Sequence, residues 1–241
     1  MWIKLCANTT LADAQLAADA CADALGFVFA PSPRRVDAAQ VAAIVPKLPP
    51  DITQIGVFQT HEFDEISATI RATGLHGIQL HGNSREPDLA LIDQLRAAFD
   101  EKQFLIQTLH WPVDQDPAQT EQNLRAAIRT LRTHGGIDAV LLDAKTATAS
   151  GGTGKVFDWK RAQQVLGAET GKLRIILAGG LKPENVEQAI RTLRPWGVDV
   201  ASGVEKRPGQ KDPARVAEFV IAARAAFAAI ENTSPMGLVP R

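Results

Sequence analysis

Eight short runs rich in β-branched and aromatic residues alternate with longer Ala- and Leu-rich runs of helical periodicity, and this alternation is what most constrains the fold. The predicted strands are WIKLCA from Trp2, ALGFVFA from Ala24, TQIGVFQ from Thr53, GIQLHG from Gly77, FLIQTLHW from Phe104, AVLLDAK from Ala139, RIILAGG from Arg174 and VDVASGVE from Val198. The predicted helices are 11–21, 37–47, 62–73, 86–99, 120–134, 159–166, 183–193 and 213–230. The strand runs are almost continuously apolar, as in a parallel sheet that is covered on both faces. Eight such units predict an α/β fold, a single (β/α)8 barrel of the TIM type.

The length and apolar content suit one domain. With 241 residues, 45% of them hydrophobic, the chain can bury one large core, and no Pro/Gly/Ser-rich linker divides the sequence. The polar, Pro-bearing segment WPVDQDPAQ at 111–119 is predicted to be a surface loop. We expect residues 1–231 to form the barrel. Residues 232–241 end in SPMGLVPR, which is typical of the remnant of a protease-cleavable expression tag, and we expect them to be a disordered tail.

The charge and hydropathy patterns argue against two classes of partner. The formal charge is -1, from 26 basic and 27 acidic residues, without the basic stripe that binding to nucleic acid needs. No apolar run reaches signal-peptide length at the N-terminus or the roughly 20 residues of a membrane span. We therefore expect a cytoplasmic protein with no nucleic-acid or membrane partner. In a reducing cytoplasm, Cys6 and Cys21 are expected to be free thiols.

Small or polar residues follow the predicted strands where each strand ends. They are Cys6, Gln59, His81, Asp143, Gly179, Gly180, Ser202 and Gly203. In barrels of this type the active site is built at the carboxyl ends of the strands. We therefore expect these residues, although scattered in sequence, to converge on one mouth of the barrel.

Glycine-bearing loops follow the last three predicted strands. Glycine lets backbone N–H groups approach an anionic oxygen closely, and (β/α)8 barrels commonly hold a phosphate at their last loops. The loops contribute Gly151, Gly152 and Gly154, then Gly179 and Gly180, then Ser202 and Gly203. A P-loop is excluded, because Ala149 and Val156 stand where that motif requires Gly and Ser or Thr. A glycine pair at a strand end also serves a tight turn, but the three loops together favour phosphate binding, with a sugar phosphate as the ligand.

Six motifs carry a family resemblance, and they occur in order over essentially the whole predicted barrel. They are KLCANT, GFVFAPSPR, QLHG, LLDAKTATASGGTGKVFDW, ILAGGLKPENV and VDVASGVEKRPGQKD. Together they resemble the phosphoribosylanthranilate isomerase family of tryptophan biosynthesis, a branch of aromatic amino acid biosynthesis. The resemblance implies an isomerase that converts N-(5-phosphoribosyl)anthranilate to 1-(2-carboxyphenylamino)-1-deoxyribulose 5-phosphate, an Amadori rearrangement by general acid/base catalysis. It implies a small phosphosugar substrate, and neither a metal nor an organic cofactor.

The resemblance also implies a catalytic pair, Cys6 as general base and Asp143 as general acid. The reaction needs an acid that protonates the ribose ring oxygen and a base that removes the C2 proton of the resulting iminium. A free thiol has a pKa of about 8.5 and an Asp carboxyl one of about 3.9, so at neutral pH both groups rest in the wrong protonation state. We therefore expect a nearby cation to favour the Cys6 thiolate and burial to favour the protonated Asp143. Without a catalytic role, Cys6 would be a small apolar strand residue and Asp143 a loop-capping carboxylate.

Four more side chains are implied as substrate-binding residues. Arg34, in the PSPRR loop, aligns with the arginine that binds the anthranilate carboxylate in the family, and a guanidinium can hold a carboxylate through two hydrogen bonds. Arg35 is expected to be solvated. Asp199 resembles a position near the ribose, or else bonds to neighbouring backbone. Gln79 and His81 point to the same side of one strand, where they either contact the substrate or fill a polar layer.

One position departs from the family pattern, because Ala7 follows Cys6 where family members commonly carry glycine. If this position requires a positive φ, Ala7 is strained. We therefore expect a slightly rearranged loop after the first strand.

The sequence leaves three alternative functions to consider. An indole-glycerol-phosphate synthase would place a lysine acid on an early strand, and a pentose-phosphate epimerase would carry metal-binding histidines; neither feature is recognised in this sequence. The five histidines show no HExxH or similar spacing, so no metal site is predicted. A binding module that keeps the phosphate loops without turnover is the third alternative, and the pair Cys6 and Asp143 argues against it. The Ala-rich stretch 222–229 could pack within the barrel or against a second subunit, so we expect a monomer or a homodimer.

Overall fold

Eight parallel strands close into a barrel in the order β1 to β8, and a helix follows each strand. The computed structural model describes residues 1–82, 86–99, 103–112, 115–145, 158–169, 171 and 173–233. The barrel strands are β1 Trp2–Leu5, β2 Ala24–Val28, β3 Thr53–Phe58, β4 Gly77–Leu80, β5 Phe104–Pro112, β6 Ala139–Lys145, β7 Arg174–Leu177 and β8 Gly197–Val200. The helices are α1 Leu11–Asp19, α2 Ala38–Ile44, α3 Phe63–Thr73, α4 Leu89–Ala98, α5 Pro117–His134, α6 Trp159–Glu169, α7 Pro183–Leu193 and α8 Pro213–Thr233. The predicted single (β/α)8 barrel is confirmed.

Alternation along the strands decides which side chains face the barrel interior. In β1, Trp2 belongs to a small apolar cluster formed by side chains of several strands, whereas Ile3 and Leu5 belong to the larger cluster beneath the helices. Lys4 lies two residues beyond Trp2 and therefore points to the interior, where it is fully buried. The parallel register of β1 with β8 places Lys4 beside Asp199. Along β1, the residue that faces the interior thus changes from the apolar Trp2 to the charged Lys4, just before the strand ends.

Capping side chains explain several helix starts. Thr10, Asp37, Asp88 and Asp116 each accept a hydrogen bond from a backbone N–H in the first turn of the helix that follows. The cap at Asp88 starts α4 at residue 89, three residues later than predicted.

The segment 111–119, predicted as a surface loop, is regular structure at both ends. Trp111 and Pro112 extend β5, which pairs with β6 as far as Lys145. Pro117 opens α5, because proline lacks the N–H that the first helical position leaves unpaired and its φ suits a helix start. The predicted loop is therefore wrong for residues 111–112 and 117–119.

The chain after β8 also differs from the prediction of one long strand, VDVASGVE. After Val200 a short 3-10 turn, Ser202–Val204, leads into a two-stranded antiparallel hairpin made of β9 Glu205–Arg207 and β10 Gln210–Lys211. This arrangement folds the hairpin back over the barrel mouth, where Thr9 Oγ1 donates a hydrogen bond to the carbonyl of Gly209.

The predicted C-terminal boundary of the barrel can be compared with the end of the last helix. The last helix, α8, continues to Thr233, two residues beyond the expected boundary at 231, and residues 234–241 lie outside the described residues. Within the described part of the chain no helix is both long and apolar enough to cross a membrane. Cys6 is buried and Cys21 exposed, and both are free thiols, as predicted.

Candidate active site

One pocket opens at the carboxyl ends of the barrel strands and collects most of the predicted site residues. It is lined by Cys6, Arg34, Gln59, Gln79, His81, Asp143, Gly179, Gly180, Asp199 and Ser202. Gly203 follows Ser202 in the same 3-10 turn. Gly151, Gly152 and Gly154, in the first of the three predicted phosphate loops, lie outside the described residues. Seven of the eight residues predicted to converge line this pocket, and Gly203 is the exception.

A buried lysine that the sequence analysis did not single out organises the Cys6 side of the pocket. Lys4 Nζ lies 2.9 Å from Asp199 Oδ1, and its charge acts on the Cys6 thiol. A fully buried ammonium is tolerated only when a partner offsets the loss of hydration, and here the Asp199 carboxylate does so. Lys4 lies on an early strand, where an indole-glycerol-phosphate synthase would be expected to carry its lysine acid, but here the lysine is paired with Asp199.

The charges around Cys6 act in opposite directions on its thiol. Burial raises the pKa of the Cys6 thiol, Lys4 lowers it, Asp199 raises it and Lys211 lowers it, with a net result above the ordinary value. Burial likewise lowers the pKa of Lys4, but Asp199 and Cys6 outweigh that effect and leave it raised. The expected cations are present, yet they do not outweigh burial. At neutral pH the resting site therefore holds a lysine cation beside a protonated thiol.

A second buried lysine reaches the same place from the β9–β10 hairpin. Lys211 Nζ donates a hydrogen bond to the Cys6 carbonyl oxygen and lies 3.8 Å from Glu205 Oε1. Its backbone N–H donates to Asp13 Oδ1 at 3.1 Å, which attaches the hairpin to α1. Burial lowers the pKa of Lys211, although Glu205, Cys6 and Asp199 act to raise it. The hairpin is therefore attached directly behind Cys6, one of the residues that line the pocket.

Arg34, the predicted carboxylate-binding residue, is held in place by Glu205. Its Nε lies 3.0 Å from both carboxylate oxygens and its Nη2 lies 2.7 Å from Oε2, while the Glu205 side chain is only 3% exposed. A planar guanidinium has more than one hydrogen-bonding edge. Glu205 takes the Nε edge, so the Nη1 group is the part of Arg34 left for a ligand in the pocket. Arg35 is exposed, as predicted.

Asp143 lies between two histidines that come from neighbouring strands. Its Oδ2 is 3.9 Å from His81 Nε2 and 3.8 Å from His110 Nδ1, and the two imidazole rings meet edge to face at 4.9 Å between centroids. The β5–β6 register places His110 directly beside Asp143. His110 Nε2 lies 3.0 Å from the Gly82 carbonyl oxygen. Because a carbonyl only accepts hydrogen bonds, Nε2 is assigned the proton.

A small polar network supports His81 from below. Gln79 Nε2 donates to Thr108 Oγ1 at 3.1 Å, and the same hydroxyl oxygen lies 3.3 Å from His81 Nδ1. Gln79 and His81 thus form part of a polar layer and also line the pocket, so both of the predicted alternatives hold together.

The glycines after β7 and β8 occupy positions that a larger residue could not share. Gly179 and Gly180 have φ values of 84° and 69°, and a Cβ on Gly179 would overlap the backbone nitrogen of Ala144. A Cβ on Gly203 would overlap the Leu181 carbonyl oxygen. These close contacts pack the segment after β7 against the end of β6 and the turn after β8 against the segment after β7, which suits the predicted phosphate site.

The loop after β1 carries the predicted strain. Ala7 has φ 63° and is buried, so a residue with a Cβ occupies a conformation that glycine adopts more readily. Asn8 stabilises the loop, because its Nδ2 donates to the carbonyls of Leu5 and Gly26 at 2.8 and 3.2 Å. A Cβ on Gly26 would come within 2.6 Å of the Cys6 sulfur, so this glycine makes room for the thiol.

The sequence analysis missed Lys4, Lys211, Glu205, His110 and Gly26. Lys4 carried a usable signal, since a lysine in an apolar strand, two residues before the proposed base, needs a buried counter-charge. Gly209 lies between Glu205 and Lys211 in the sequence, and a glycine at this place could have indicated the tight turn of a hairpin. His110 had no sequence signal, because its neighbours Asp143 and His81 lie on other strands.

Comparison with known proteins places the chain in a family. The sequence model described as N-(5'phosphoribosyl)anthranilate (PRA) isomerase matches residues 3–222. The N-(5'-phosphoribosyl)anthranilate isomerase of Pelobacter propionicus is 40% identical over 219 residues, which cover 90% of this chain and 93% of the relative. That of Magnetococcus marinus is 40% identical over 235 residues, covering 93% and 95%.

Solved structures agree with the sequence comparisons. The phosphoribosyl anthranilate isomerase of Thermotoga maritima has a TM-score of 0.76 and 33% identity, covering 93% of this chain and 99% of that protein. A further structure of a phosphoribosyl anthranilate isomerase, in complex with reduced 1-(o-carboxyphenylamino)-1-deoxyribulose 5-phosphate, has a TM-score of 0.72 and 31% identity over the same shares. The Thermotoga maritima protein is described as dimeric, and monomers were generated from it.

Proposed function

The chain belongs to the N-(5'-phosphoribosyl)anthranilate isomerase family, whose members act in tryptophan biosynthesis, and from that premise we propose a general acid/base mechanism carried by Cys6 and Asp143. The substrate is N-(5-phosphoribosyl)anthranilate and the product 1-(2-carboxyphenylamino)-1-deoxyribulose 5-phosphate. The observation that carries the proposal is that Cys6 after β1, Arg34 after β2 and Asp143 in β6 line one pocket together with glycines after β7 and Ser202 after β8.

Asp143 acts first, as the general acid. Its carboxyl proton passes to the ribose ring oxygen, the bond between that oxygen and C1 breaks, and the nitrogen lone pair forms the C1=N double bond of an iminium. This step requires the protonated form of Asp143, whose side chain lines the pocket. The resulting carboxylate can later return to the acid form by accepting a proton.

Cys6 acts second, as the general base. Its thiolate removes the C2 proton, the C2–H electron pair forms the C1=C2 bond, and the C1=N pair returns to nitrogen, which gives an enamine. The ketone forms when the C2 hydroxyl proton passes to the Asp143 carboxylate and the Cys6 thiol returns a proton to C1, which restores both groups. Only the thiolate is basic, and the raised pKa of Cys6 means that the thiol predominates at rest. Lys4 is the positioning residue for this step, because its charge has the strongest effect among those that lower the pKa of Cys6.

The charged and polar residues around the pair hold the two ends of the substrate. Arg34 binds the anthranilate carboxylate through the part of its guanidinium that Glu205 does not occupy. Gly179, Gly180, Ser202 and Gly203 receive the phosphate, together with Gly151, Gly152 and Gly154, whose loop lies outside the described residues. Gln79, His81 and Asp199 face the ribose between these two sites.

The mechanism uses side chains alone, and we propose that the enzyme works in the cytoplasm as a monomer or homodimer without a cofactor. Sedimentation analysis of the purified protein distinguishes the two assemblies. The dimer described for the Thermotoga maritima relative supports the second.

The test of the proposed function is a steady-state assay that follows the loss of phosphoribosylanthranilate fluorescence, with the substrate generated in place from anthranilate and phosphoribosyl pyrophosphate. We expect Cys6→Ala and Asp143→Asn each to remove most turnover with the fold intact, and Arg34→Ala mainly to raise KM. Cys21→Ala and Asp93→Asn are matched controls, because they change the same residue types at exposed positions. Near wild-type kcat in either catalytic variant would show that its role is assigned wrongly.

A second measurement separates the enzyme from a phosphate-binding barrel without turnover. If the wild type shows no fluorescence decay but inorganic phosphate raises its melting temperature, the binding site stands and the reaction is assigned wrongly. Decay in the wild type that Asp143→Asn abolishes supports both.

A further inference from the structure

Three side chains with metal-binding atoms meet at the edge of the pocket, where β4, β5 and β6 end. His81 Nε2, His110 Nδ1 and an Asp143 carboxylate oxygen all lie within 4.8 Å of one another, and the three side chains are between 9% and 17% exposed. Imidazole nitrogens with one carboxylate are a ligand set that zinc and related divalent ions favour. The mechanism proposed above uses Asp143 but gives no step to His110.

The distances suit an ion between these atoms better than direct contact. At 3.8 and 3.9 Å the nitrogen–oxygen pairs are too long for hydrogen bonds. Two ligands on one zinc ion, each at about 2.0–2.1 Å, are about 3.3–3.4 Å apart in a tetrahedral site. Side-chain movements of roughly half an ångström would therefore bring both nitrogens and the oxygen to coordinating distance.

Each histidine has a second partner that orients its ring for coordination. His110 Nε2 donates to the Gly82 carbonyl oxygen at 3.0 Å, which leaves the Nδ1 lone pair facing Asp143. In the tautomer whose Nδ1–H donates to Thr108 Oγ1, 3.3 Å away, His81 presents the Nε2 lone pair to the same carboxylate. Metal-bound histidines usually have such a partner on their other nitrogen.

We propose that His81, His110 and Asp143 form an inhibitory site for one divalent transition-metal ion of the zinc class. His81 and Asp143 line the substrate pocket, so an ion can enter from solvent and keep a coordination position open towards the pocket. The bound ion occupies the Asp143 lone pair that must carry the acid proton, so metal binding and turnover exclude each other. The site itself stands on geometry, and only its inhibitory effect rests on the proposed function.

Cobalt(II) serves as the probe, because its visible ligand-field absorption reports coordination directly and independently of activity. The full-length enzyme, freed of metal with a chelator, is titrated with cobalt chloride, and zinc chloride is then added to displace it. We expect one cobalt ion per chain, loss of the band on adding zinc, and an affinity at least about tenfold lower in His110→Phe, which keeps a ring but loses a ligand. His134→Ala is the matched control, because His134 pairs with Asp93 at 3.1 Å on the barrel exterior.

Activity is measured in parallel as the ratio of rates with and without micromolar zinc within each variant, so that changes in turnover cancel. Wild type and His134→Ala should lose activity with zinc and recover it with chelator, and His110→Phe should be resistant. Absence of a cobalt band in the wild type, or a band that survives in His110→Phe, overturns the site. A cobalt band without zinc inhibition overturns the inhibitory role alone. A failed isomerase assay leaves the cobalt titration unaffected, so the two proposals fail separately.

Discussion

Replacing Lys4 by methionine tests whether the buried charge pair determines both the stability and the chemistry of the Cys6 side of the pocket. Methionine keeps most of the side-chain length and loses the charge. Lys4 is fully buried and its Nζ lies 2.9 Å from Asp199, whose side chain is 11% exposed. Removal of one member of a buried ion pair leaves the other charge without compensation, at a cost of about 3–5 kcal/mol in the free energy of unfolding. That is a large share of the total stability of an ordinary domain.

Urea unfolding of Lys4→Met, Asp199→Asn and the double variant measures this cost. The double variant leaves no unpaired buried charge. Its free energy of unfolding should therefore be higher than that of Lys4→Met, although it carries one more substitution. If Lys4→Met fails to fold, the free energy of unfolding can still be measured for the double variant. A loss below about 1 kcal/mol in Lys4→Met would refute the assignment of a strong buried pair.

The same substitution should move the pKa of Cys6 upward. Lys4 supplies the strongest effect that lowers this pKa, whereas burial and Asp199 raise it. A higher pKa means that the thiolate forms only at higher pH, so the pH profile of Cys6 alkylation should shift to the alkaline side in Lys4→Met. Measurement in a Cys21→Ala background isolates the Cys6 signal, since Cys21 is the exposed thiol. An unchanged profile, or a shift to lower pH, would contradict the positioning role of Lys4.

The remaining predictions concern the pH profile and three other positions. Because Cys6 must be ionised while Asp143 is still protonated, wild-type kcat/KM should follow a bell-shaped pH profile, and the raised pKa of Cys6 places its alkaline limb above the ordinary pKa of a thiol; a profile that already falls at neutral pH would contradict this. Glu205→Gln should raise KM about tenfold with a smaller change in kcat, because the charge-assisted hydrogen bonds that hold Arg34 are worth roughly 1.5 kcal/mol or more; steady-state kinetics showing only a fall in kcat would disagree. Gly203→Ala should lower the free energy of unfolding, measured with heat or urea, by about 1–3 kcal/mol, because its Cβ overlaps the Leu181 carbonyl oxygen. The same variant should show weaker thermal protection by inorganic phosphate, and full protection would argue against a phosphate site there. Arg194→Gly should stabilise the protein by about 0.5–1 kcal/mol in the same unfolding assay, because Arg194 is exposed and ends α7 with φ 46°, and a destabilised variant would contradict the strain.

The barrel could be predicted because its evidence is local. Apolar strand runs and amphipathic helical runs follow from backbone geometry over a few residues, and their alternation leaves few topologies open. The errors occurred where a local rule was misapplied: Pro117 was taken as part of a loop although it opens a helix, and the turn at Gly209 was not recognised. The convergence of Cys6, Asp143 and the glycine loops was also predictable, since parallel strands deliver their carboxyl ends to one mouth.

The sequence alone therefore determined the fold, the position of the pocket and, through the motifs, the family to which the chain belongs. The tertiary structure decided how the pocket is charged. Lys4 and Asp199 are 195 positions apart, and Arg34 and Glu205 are 171 apart, so no short-range pattern links them. The energy of a buried charge depends on the identity and distance of its partners and on the loss of water around it. For the same reason, the direction of the pKa shift of Cys6 became known only when the burial of the thiol and the positions of two lysines and one aspartate were known together.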